Sequence, residues 1–492
     1  MRNRLGLQLL TVTVFLSLTA CTVGPDYKRP AMPVPAEFKE MQGWKMAQPR
    51  DHELAGNWWK IFDDPYLNAL EQQVDISNQS IAQAEAQYRQ AQSLVQGSRS
   101  AYFPTVTGSV SASRFRAASG QSVAVSGVRT LFNGVFSVAW EPDIWGKVRR
   151  QVESDQASAQ ASAASLQAVR LLTQATLAQN YFQLRAFDAQ IKLLNDTVEA
   201  FAKTLKITQN RYAVGVAGKS DVVQAETQLE STRAQAIDFG VQRAQLEHAI
   251  AMLMGKTPAE LTIPVAAFNA KIPPIPVSLP SQLLERRPDI AEAERLAAAA
   301  NAQIGVAKAA YYPSLNLSGT NGYQASTFSN LLTNAARYWA LGPAALALPL
   351  FDGGARGASL SETIHSYDAS VAAYRQTVLV GFQEVEDHLA ALRILEQEIQ
   401  VQAKAVAAAR KAVELTTNQY RAGTLSYLNV NTAQADALNN EITAVDLLSQ
   451  RLVAAVLLVK ALGGGWSTAQ LPTSDEAGGE TEWSQFLPVP VK

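Results

Sequence analysis

The chain is poor in the residue types that build disulfide frameworks and metal sites. Its 492 residues include one cysteine and four histidines, which excludes an internal disulfide and any cysteine-rich zinc site. The 42 Lys and Arg residues nearly balance the 43 Asp and Glu residues, so no excess charge of one sign favours nucleic acid as a partner. After residue 20 there is no uninterrupted run of about 18 apolar residues, and the sequence therefore predicts no membrane-spanning helix.

Patterns of catalytic residues are also missing. The four histidines stand apart from one another without metal-ligand spacing, at His52, His248, His365 and His388. The string from Ala213 to Ser220 has the spacing of a phosphate-binding loop, but its first glycine is replaced by alanine and it follows a long helical segment instead of a strand. The sequence thus predicts no enzyme, no metal site and no cofactor.

The first 20 residues predict a secretory signal peptide, because Arg2 and Arg4 precede a mostly apolar stretch. The following Leu18-Thr19-Ala20-Cys21 resembles the lipobox of bacterial lipoproteins, in which the cysteine is acylated and becomes the new N-terminus. The alternative is an ordinary signal peptide followed by a chance cysteine. The resemblance implies a covalent lipid on Cys21, and the Thr22 that follows implies sorting to the outer membrane.

The remainder of the chain is a tandem duplication. Residues 81–85 (IAQAE) recur as 290–294 (IAEAE), residues 101–104 (AYFP) recur as 310–313 (AYYP), and Tyr212 and Gly215 recur as Tyr420 and Gly423. The first two matches are displaced by 209 positions and the last by 208. A period this long indicates that a whole domain is duplicated, since solenoid repeats span about 20 to 50 residues.

In each copy the sequence predicts two short β-strands that follow a helical segment. This segment ends near Ser100 in the first copy and near Ala309 in the second. Val106, Val110 and Ala112 alternate with Ser and Thr, which is the period of a strand. The other three predicted strands are residues 136–140, 315–318 and 346–350. The chain is therefore expected to hold four strands.

Each copy then continues with a segment that lacks proline, over residues 143–257 and 350–471. Gly215 and Gly218 interrupt the first segment and Gly423 the second, so each predicts a helical hairpin. A helix from Lys147 to Asn210 would be ~96 Å long, which is too long to be buried in a globule. A dimeric coiled-coil rod is the alternative, but the heptads are not clean.

The alternation of small apolar residues with Ser, Thr and Asn is expected where one face of a strand meets lipid and the other meets water. Four strands cannot close a barrel, since roughly eight is the smallest number that does. Strands from two, three or four chains would have to combine, and the residues alone do not choose between these numbers. A scaffold whose helices only support a complex would need no such alternation.

These features together resemble the outer-membrane factors, the TolC-like channels, and in particular the lipoprotein branch that serves drug-efflux pumps. The motifs are the stretch from Cys21 to Pro30 (CTVGPDYKRP), Trp58-Trp59, and the stretch from Asp64 to Leu67 (DPYL). The resemblance implies a mixed α and β membrane protein. It would form a homotrimer with a 12-stranded outer-membrane β-barrel, four strands per chain, continued by a long periplasmic α-helical barrel.

The function implied is that of the outer-membrane channel of a tripartite efflux system, a passive conduit that exports drugs or other small molecules from the periplasm. A periplasmic adaptor (membrane fusion) protein, an inner-membrane efflux pump and outer-membrane lipid are the partners implied. The alternative is the outer-membrane duct of a protein-secretion system. The predicted domains are a signal peptide (1–20), a lipidated linker (21–60), a first repeat (61–270), a second repeat (271–465) and a C-terminal tail (466–492).

The resemblance also assigns roles to residues at the hairpin ends. The residues expected to dock to the adaptor are Arg211, Tyr212, Val214, Gly215, Val216, Tyr420, Ala422, Gly423 and Thr424; each could instead be a simple turn residue. The expected periplasmic gate is formed by Leu428, Thr432 and Asp436. Thr432 stands where the family usually has Asp, which leaves Leu428 as a hydrophobic constriction.

Overall fold

A computed structural model describes residues 22–40, 56–116, 128–268, 271–273, 275 and 280–479 of the chain. Cys21 lies outside these residues. The helices and strands are, in chain order, α1 (Pro65–Ser77), α2 (Gln79–Ser100), β1 (Thr105–Arg116), β2 (Val128–Trp140), α3 (Lys147–Ala213), α4 (Lys219–Leu253), α5 (Pro280–Arg286), α6 (Pro288–Ala309), β3 (Ser314–Ala325), β4 (Arg337–Ala347), α7 (Ala355–Arg421) and α8 (Tyr427–Ala461).

The duplication is visible in the helix lengths. Helices α3 and α7 each contain 67 residues, and α4 and α8 each contain 35. Each long helix spans about 100 Å, in agreement with the length predicted from the sequence. The predicted ends of α2 at Ser100 and of α6 at Ala309 are confirmed.

The four strands form one antiparallel sheet in the order β1-β2-β3-β4. The central pair, β2 and β3, joins the two repeats. Three of the predicted strands were too short, and the last was displaced, because β4 begins at Arg337 and ends at Ala347. Gly134, Gly342 and Pro343 obscure the alternation that would have revealed the full strands, and Pro349 cannot donate a hydrogen bond to extend β4.

One face of the sheet carries large apolar side chains that no described residue of the single chain covers. Val110 is 85% exposed, Leu341 88% and Leu346 70%. Cross-strand neighbours on this face are also apolar, as in the pairs Val106 with Val138 and Leu315 with Leu346. This arrangement agrees with the lipid-facing alternation predicted from the sequence.

The main hydrophobic core lies halfway along the long helices. Trp58 and Trp59, in the short turn before α1, are 1% and 0% exposed, and they pack with the midpoint of α3 and the second half of α8. The rings of Phe62 and Phe182 lie 5.1 Å apart. Segments outside the hairpins thus pack against the middle of the long helices and bury apolar side chains there.

A glycine with a positive φ follows the last helix of each repeat. Gly255, behind α4, and Gly463, behind α8, have φ angles of 65° and 93°. A Cβ on either would lie 2.1 Å from a backbone oxygen, that of Ser77 or of Arg286. A side chain is therefore excluded at both positions by the left-handed backbone and by the close contact.

One described helix, α8, is long and apolar enough to cross a membrane, with a mean hydropathy of 1.8 over its best window. The sequence criterion missed it, because Asp446 and Arg451 interrupt its apolar residues. Leu452, Val456 and Leu458 of this helix are buried in the main core. Its apolar character is thus used within the protein.

Candidate docking tips, gate and membrane junction

The first hairpin tip is a tight turn centred on Gly215. Helix α3 ends at Ala213, and Gly215 adopts a φ of 77°. The amide of Gly215 donates to the carbonyl of Tyr212 at 2.9 Å, and the amide of Val216 donates to that of Arg211 at 2.8 Å. These bonds satisfy the last carbonyls of the helix, as in a glycine-terminated helix cap.

The second tip repeats this geometry around Gly423, whose φ is 78°. The amide of Gly423 donates to the carbonyl of Tyr420 at 3.0 Å, and the amide of Thr424 donates to that of Gln419 at 3.0 Å. Both glycines have open space around them, so backbone conformation is what requires glycine here.

The two tips differ in what they expose. In the first tip Tyr212 is 47% exposed, Val214 74% and Val216 62%. Tyr420, the counterpart of Tyr212, is only 4% exposed. The docking role expected for Tyr420 stays a prediction, and in the single chain its ring packs inside the protein.

Tyr420 belongs to a small cluster that joins the two hairpins. Its ring meets that of Tyr427 edge-on at 5.5 Å, and Thr208 of α3 lies 3.5 Å from its hydroxyl. Burial raises the pKa of Tyr427 to about 12, with smaller contributions from Tyr420 and Asp221. Sequence reasoning missed both partners of Tyr420: Thr208 lies 212 positions away in the other hairpin, and Tyr427 has no motif that marks it.

Arg211 adds two further contacts between the two hairpins, and we call this group of contacts the joint. Its guanidinium lies 4.6 Å from the centre of the Tyr420 ring, and one of its amino groups donates to the carbonyl of Arg421 at 3.1 Å. The first tip thus holds the end of α7 through a cation–π contact and a hydrogen bond.

The three predicted gate residues lie on one exposed face of α8. Leu428 is 55% exposed, and Thr432 and Asp436 are also exposed. Their spacing of four residues places them on neighbouring turns of the helix. The hydroxyl of Thr432 donates to the carbonyl of Leu428 at 3.0 Å, so this side chain is satisfied within its own helix.

Aromatic side chains gather where the sheet meets the helices. The ring of Trp145 stacks on Tyr312 at 4.8 Å, and its indole nitrogen donates to the carbonyl of Pro313 at 2.7 Å. Trp140 donates in the same way to the carbonyl of Tyr102 at 3.1 Å. Tryptophan and tyrosine at this level are typical of a membrane interface.

The N-terminal segment, residues 22–40, begins at this junction and continues along the helices. The amide of Val23 donates to the carbonyl of Trp145 at 3.1 Å. Arg150, whose side chain is 5% exposed, bonds Asp26 at 2.8 Å and Glu153 at 2.7 Å. Further along, the hydroxyl of Tyr27 donates to Glu294 at 2.6 Å, and burial raises the pKa of Tyr27.

The string that mimics a phosphate-binding loop spans the end of α3, the turn at Gly215 and the start of α4. It follows a helix of 67 residues, whereas a phosphate-binding loop follows a strand. Within the described residues there is no group of three or more His, Cys, Asp or Glu side chains that could hold a metal ion.

A family model for "Outer membrane efflux protein" matches residues 70–256 and again residues 279–464. The two matches follow the internal duplication. This chain belongs to the outer membrane efflux protein family.

Two named relatives and one solved structure agree with this assignment. The probable efflux pump outer membrane protein TtgC of Pseudomonas putida KT2440 is 32% identical over 96% of this chain and 98% of its own length. The cation efflux system protein CusC of Escherichia coli O6:H1 is 29% identical over 93% of this chain and 99% of its own length. The solved structure of the outer-membrane channel OprN matches with a TM-score of 0.85 and 30% identity, over 91% of this chain and 100% of that one.

The predicted fold class is confirmed. The chain is a mixed α and β membrane protein that contributes four strands to a 12-stranded outer-membrane β-barrel of a homotrimer, continued by a long α-helical barrel in the periplasm. The predicted function is confirmed as well: the protein is an outer-membrane channel component of an efflux system.

Proposed function

We propose that this efflux channel is anchored by a lipid on Cys21 and receives its cargo from an inner-membrane pump through a periplasmic adaptor docked at the hairpin tips. The observation that carries the proposal is the exposure of the two glycine turns. They lie about 100 Å of helix away from the membrane junction, and the first presents an apolar surface formed by Tyr212, Val214 and Val216.

The fixed start of the described chain supports the lipid anchor. Val23 is bonded to Trp145, and Thr22 packs against Gly146, where a Cβ would lie 2.8 Å from a Thr22 methyl group. Cys21 therefore directly precedes residues held at the level of the aromatic junction. An acyl chain on Cys21 would reach the bilayer without any linker, and several chains on one residue would anchor stably.

We place the adaptor contact on Arg211, Tyr212, Val214, Gly215 and Val216 of the first tip and on Ala422, Gly423 and Thr424 of the second. Tyr420 supports this surface from below. The exposed valines fit an apolar partner, since an exposed apolar patch with a polar rim marks a protein contact. Because the second tip offers only small and polar side chains, the first tip supplies most of the binding energy.

The gate is proposed at Leu428, with Thr432 and Asp436 on the same face of α8. Three symmetry-related copies of each residue would converge on the channel axis. Leu428 closes the channel by apolar contact, since Thr432 brings no charge.

The cargo is proposed to be drugs or other small molecules, chosen by the pump. Relatives of this chain are named for the efflux of toluene and of cations, although they share one fold. A duct of constant architecture is therefore compatible with very different cargo. We further propose that the chain has no catalytic activity and needs no cofactor besides its lipid.

The test is site-specific photo-crosslinking in cells that express the adaptor and the pump. A photoreactive residue at Val214 should capture the adaptor, identified by mass spectrometry, and one at Thr424 should do so more weakly. Val401, which is 65% exposed on α7 and lies about 30 Å from the tip, is the control and should capture none. Capture at Val401 alone would contradict docking at the tips.

A further inference from the structure

Both edges of the four-stranded sheet lack a partner within the described chain. Strand β1 pairs only with β2, and β4 pairs only with β3. Exposed strand edges with apolar faces are templates for pairing with another chain. Since the chain forms a ring of three copies, β4 of one copy must meet β1 of the next. We call the contact between two such strands a seam, and the duplication allows the register of this one to be derived.

The derivation starts from positions that correspond between the repeats. Val106 of β1 pairs with Val138, and Leu315, which stands 209 residues after Val106, pairs with Leu346. Val138 and Leu346 are therefore equivalent. By the same reasoning Ser137 is equivalent to Ala345, because Thr107 pairs with Ser137 and Asn316 pairs with Ala345.

The seam between the two repeats, where β2 pairs with β3, then serves as the template for the pairing between chains. On its other side Val138 pairs with Gly319, and Ser137 pairs with Thr320. The residues that stand 209 positions before Gly319 and Thr320 are Val110 and Ser111. We infer that β4 pairs with β1 of the next copy antiparallel, with Leu346 opposite Val110 and Ala345 opposite Ser111.

The side chains agree with this register. Leu346 and Val110, which are 70% and 85% exposed in the single chain, would form an apolar pair on the lipid face. Ala345 and Ser111 would face the watery lumen, as the equivalent pair of Ser137 and Thr320 does between β2 and β3. A slip by one residue would place Leu346 opposite a serine and turn the polar side chains of β1 toward lipid.

The ends of the strands point to the same seam. Tyr312, on which Trp145 stacks, has its counterpart in Phe103, which is 63% exposed. The linker behind β4 presents Leu350 and Phe351, which are 88% and 91% exposed. The next copy's Phe103 would lie beside this linker, so that apolar surface left open on both sides of the chain is covered.

Disulfide trapping tests the register, and the chain suits it because Cys21 is the only natural cysteine. The variant with Ser111→Cys and Ala345→Cys should give covalent dimers and trimers after oxidation in isolated outer membranes, seen on heated, non-reducing gels. Either substitution alone should give none. The variant with Ser113→Cys and Ala345→Cys, shifted by two residues, should crosslink at most one tenth as much.

A matched positive control lies within the chain. Ser137→Cys with Thr320→Cys occupies the equivalent position at the internal seam and should lose its free thiols on oxidation without forming oligomers. If this control oxidises and the shifted pair crosslinks better than Ser111→Cys with Ala345→Cys, the register is wrong. If wild type forms no heat-sensitive trimer in unheated gels, the ring itself fails, which is a separate result.

Discussion

The guanidinium of Arg211 lies 4.6 Å from the centre of the Tyr420 ring and so connects the two hairpins of one chain at their tips. The same side chain donates a hydrogen bond to the carbonyl of Arg421. Together these contacts stabilise the packing of the two tips on each other by about 1 to 2 kcal/mol per chain. Separation of the two tips therefore requires these contacts to break.

We expect Arg211→Ala to loosen the tips and to raise the fraction of time that the reconstituted channel is open by roughly tenfold. Single-channel recording in planar bilayers measures this fraction. Arg421→Ala is the matched control, because it removes the same charge from the joint but leaves the carbonyl of residue 421 and the Tyr420 contact in place. Equal effects of the two substitutions would show that charge alone matters.

This joint also shows where sequence reasoning ends. The duplication, the helix lengths and the glycine turns follow from local patterns and were predicted. Tyr212 and Tyr420 occupy equivalent places in the two motifs, yet one is exposed and the other buried. Tyr420 is buried between Tyr427 of its own hairpin and Thr208 of the other hairpin, and no local pattern records the packing of one hairpin on the other.

The same limit applies at the membrane end. Cys21 could be singled out from its neighbours in the sequence, but the ion pair between Asp26 and Arg150 joins positions 124 residues apart. Neither residue has a sequence signal that names its partner.

The glycine turns provide a prediction about backbone conformation. Gly423→Val should cost about 1 to 2 kcal/mol at a φ of 78° and weaken photo-crosslinking from the tips to the adaptor. Gly423→Asn is the matched control, because asparagine tolerates a positive φ and should retain most of the crosslinking. If both variants crosslink like wild type, the turn is only a connector.

The proposed anchor predicts that Cys21→Ser abolishes metabolic labelling of the protein with palmitate. Heat-sensitive trimers should still be found in the outer membrane, because the strands of the barrel stay inserted in the membrane without the lipid. Thr22→Ser leaves the cysteine intact and should be labelled like wild type. Labelling that persists in Cys21→Ser would show that the lipid is elsewhere.

Glu71 predicts a pH dependence of stability. Burial raises the pKa of this carboxyl well above its ordinary value, and the charge of Asp75 adds to the effect. The side chain is 0% exposed, and neither of its oxygens has a hydrogen-bond partner among the residues that the structure describes. In the unfolded chain the group ionises above about pH 4.3. Its contribution to stability is therefore fully present below that pH and is lost as the pH rises toward the folded pKa.

Glu71→Gln removes this loss. We expect its melting temperature to exceed that of wild type by a gap that widens between pH 5 and pH 8, at roughly 2 to 4 °C for each kcal/mol gained. Glu85→Gln changes an exposed glutamate on α2 and should show no widening gap. A constant difference between Glu71→Gln and wild type at all pH values would show that packing, not ionisation, is responsible.

The gate gives the last prediction, which depends on the apolar character of Leu428. This side chain is 55% exposed in the single chain, and its neighbour on the same face, Thr432, uses its hydroxyl within the helix. Three copies of Leu428 meeting at the axis would close the channel by apolar contact and by excluding water. One substitution changes all three contacts at once because of the symmetry.

Leu428→Ala should therefore raise the single-channel conductance by about twofold or more in the absence of the pump. Thr432→Asp should place three like charges near the axis and make the conductance depend on pH and on divalent cations. Leu415→Ala is the matched control, because Leu415 is a leucine of similar exposure, 49%, on the other helix of the same hairpin. If Leu428→Ala conducts like wild type, or if Leu415→Ala raises the conductance equally, the constriction lies at another level of the helical barrel.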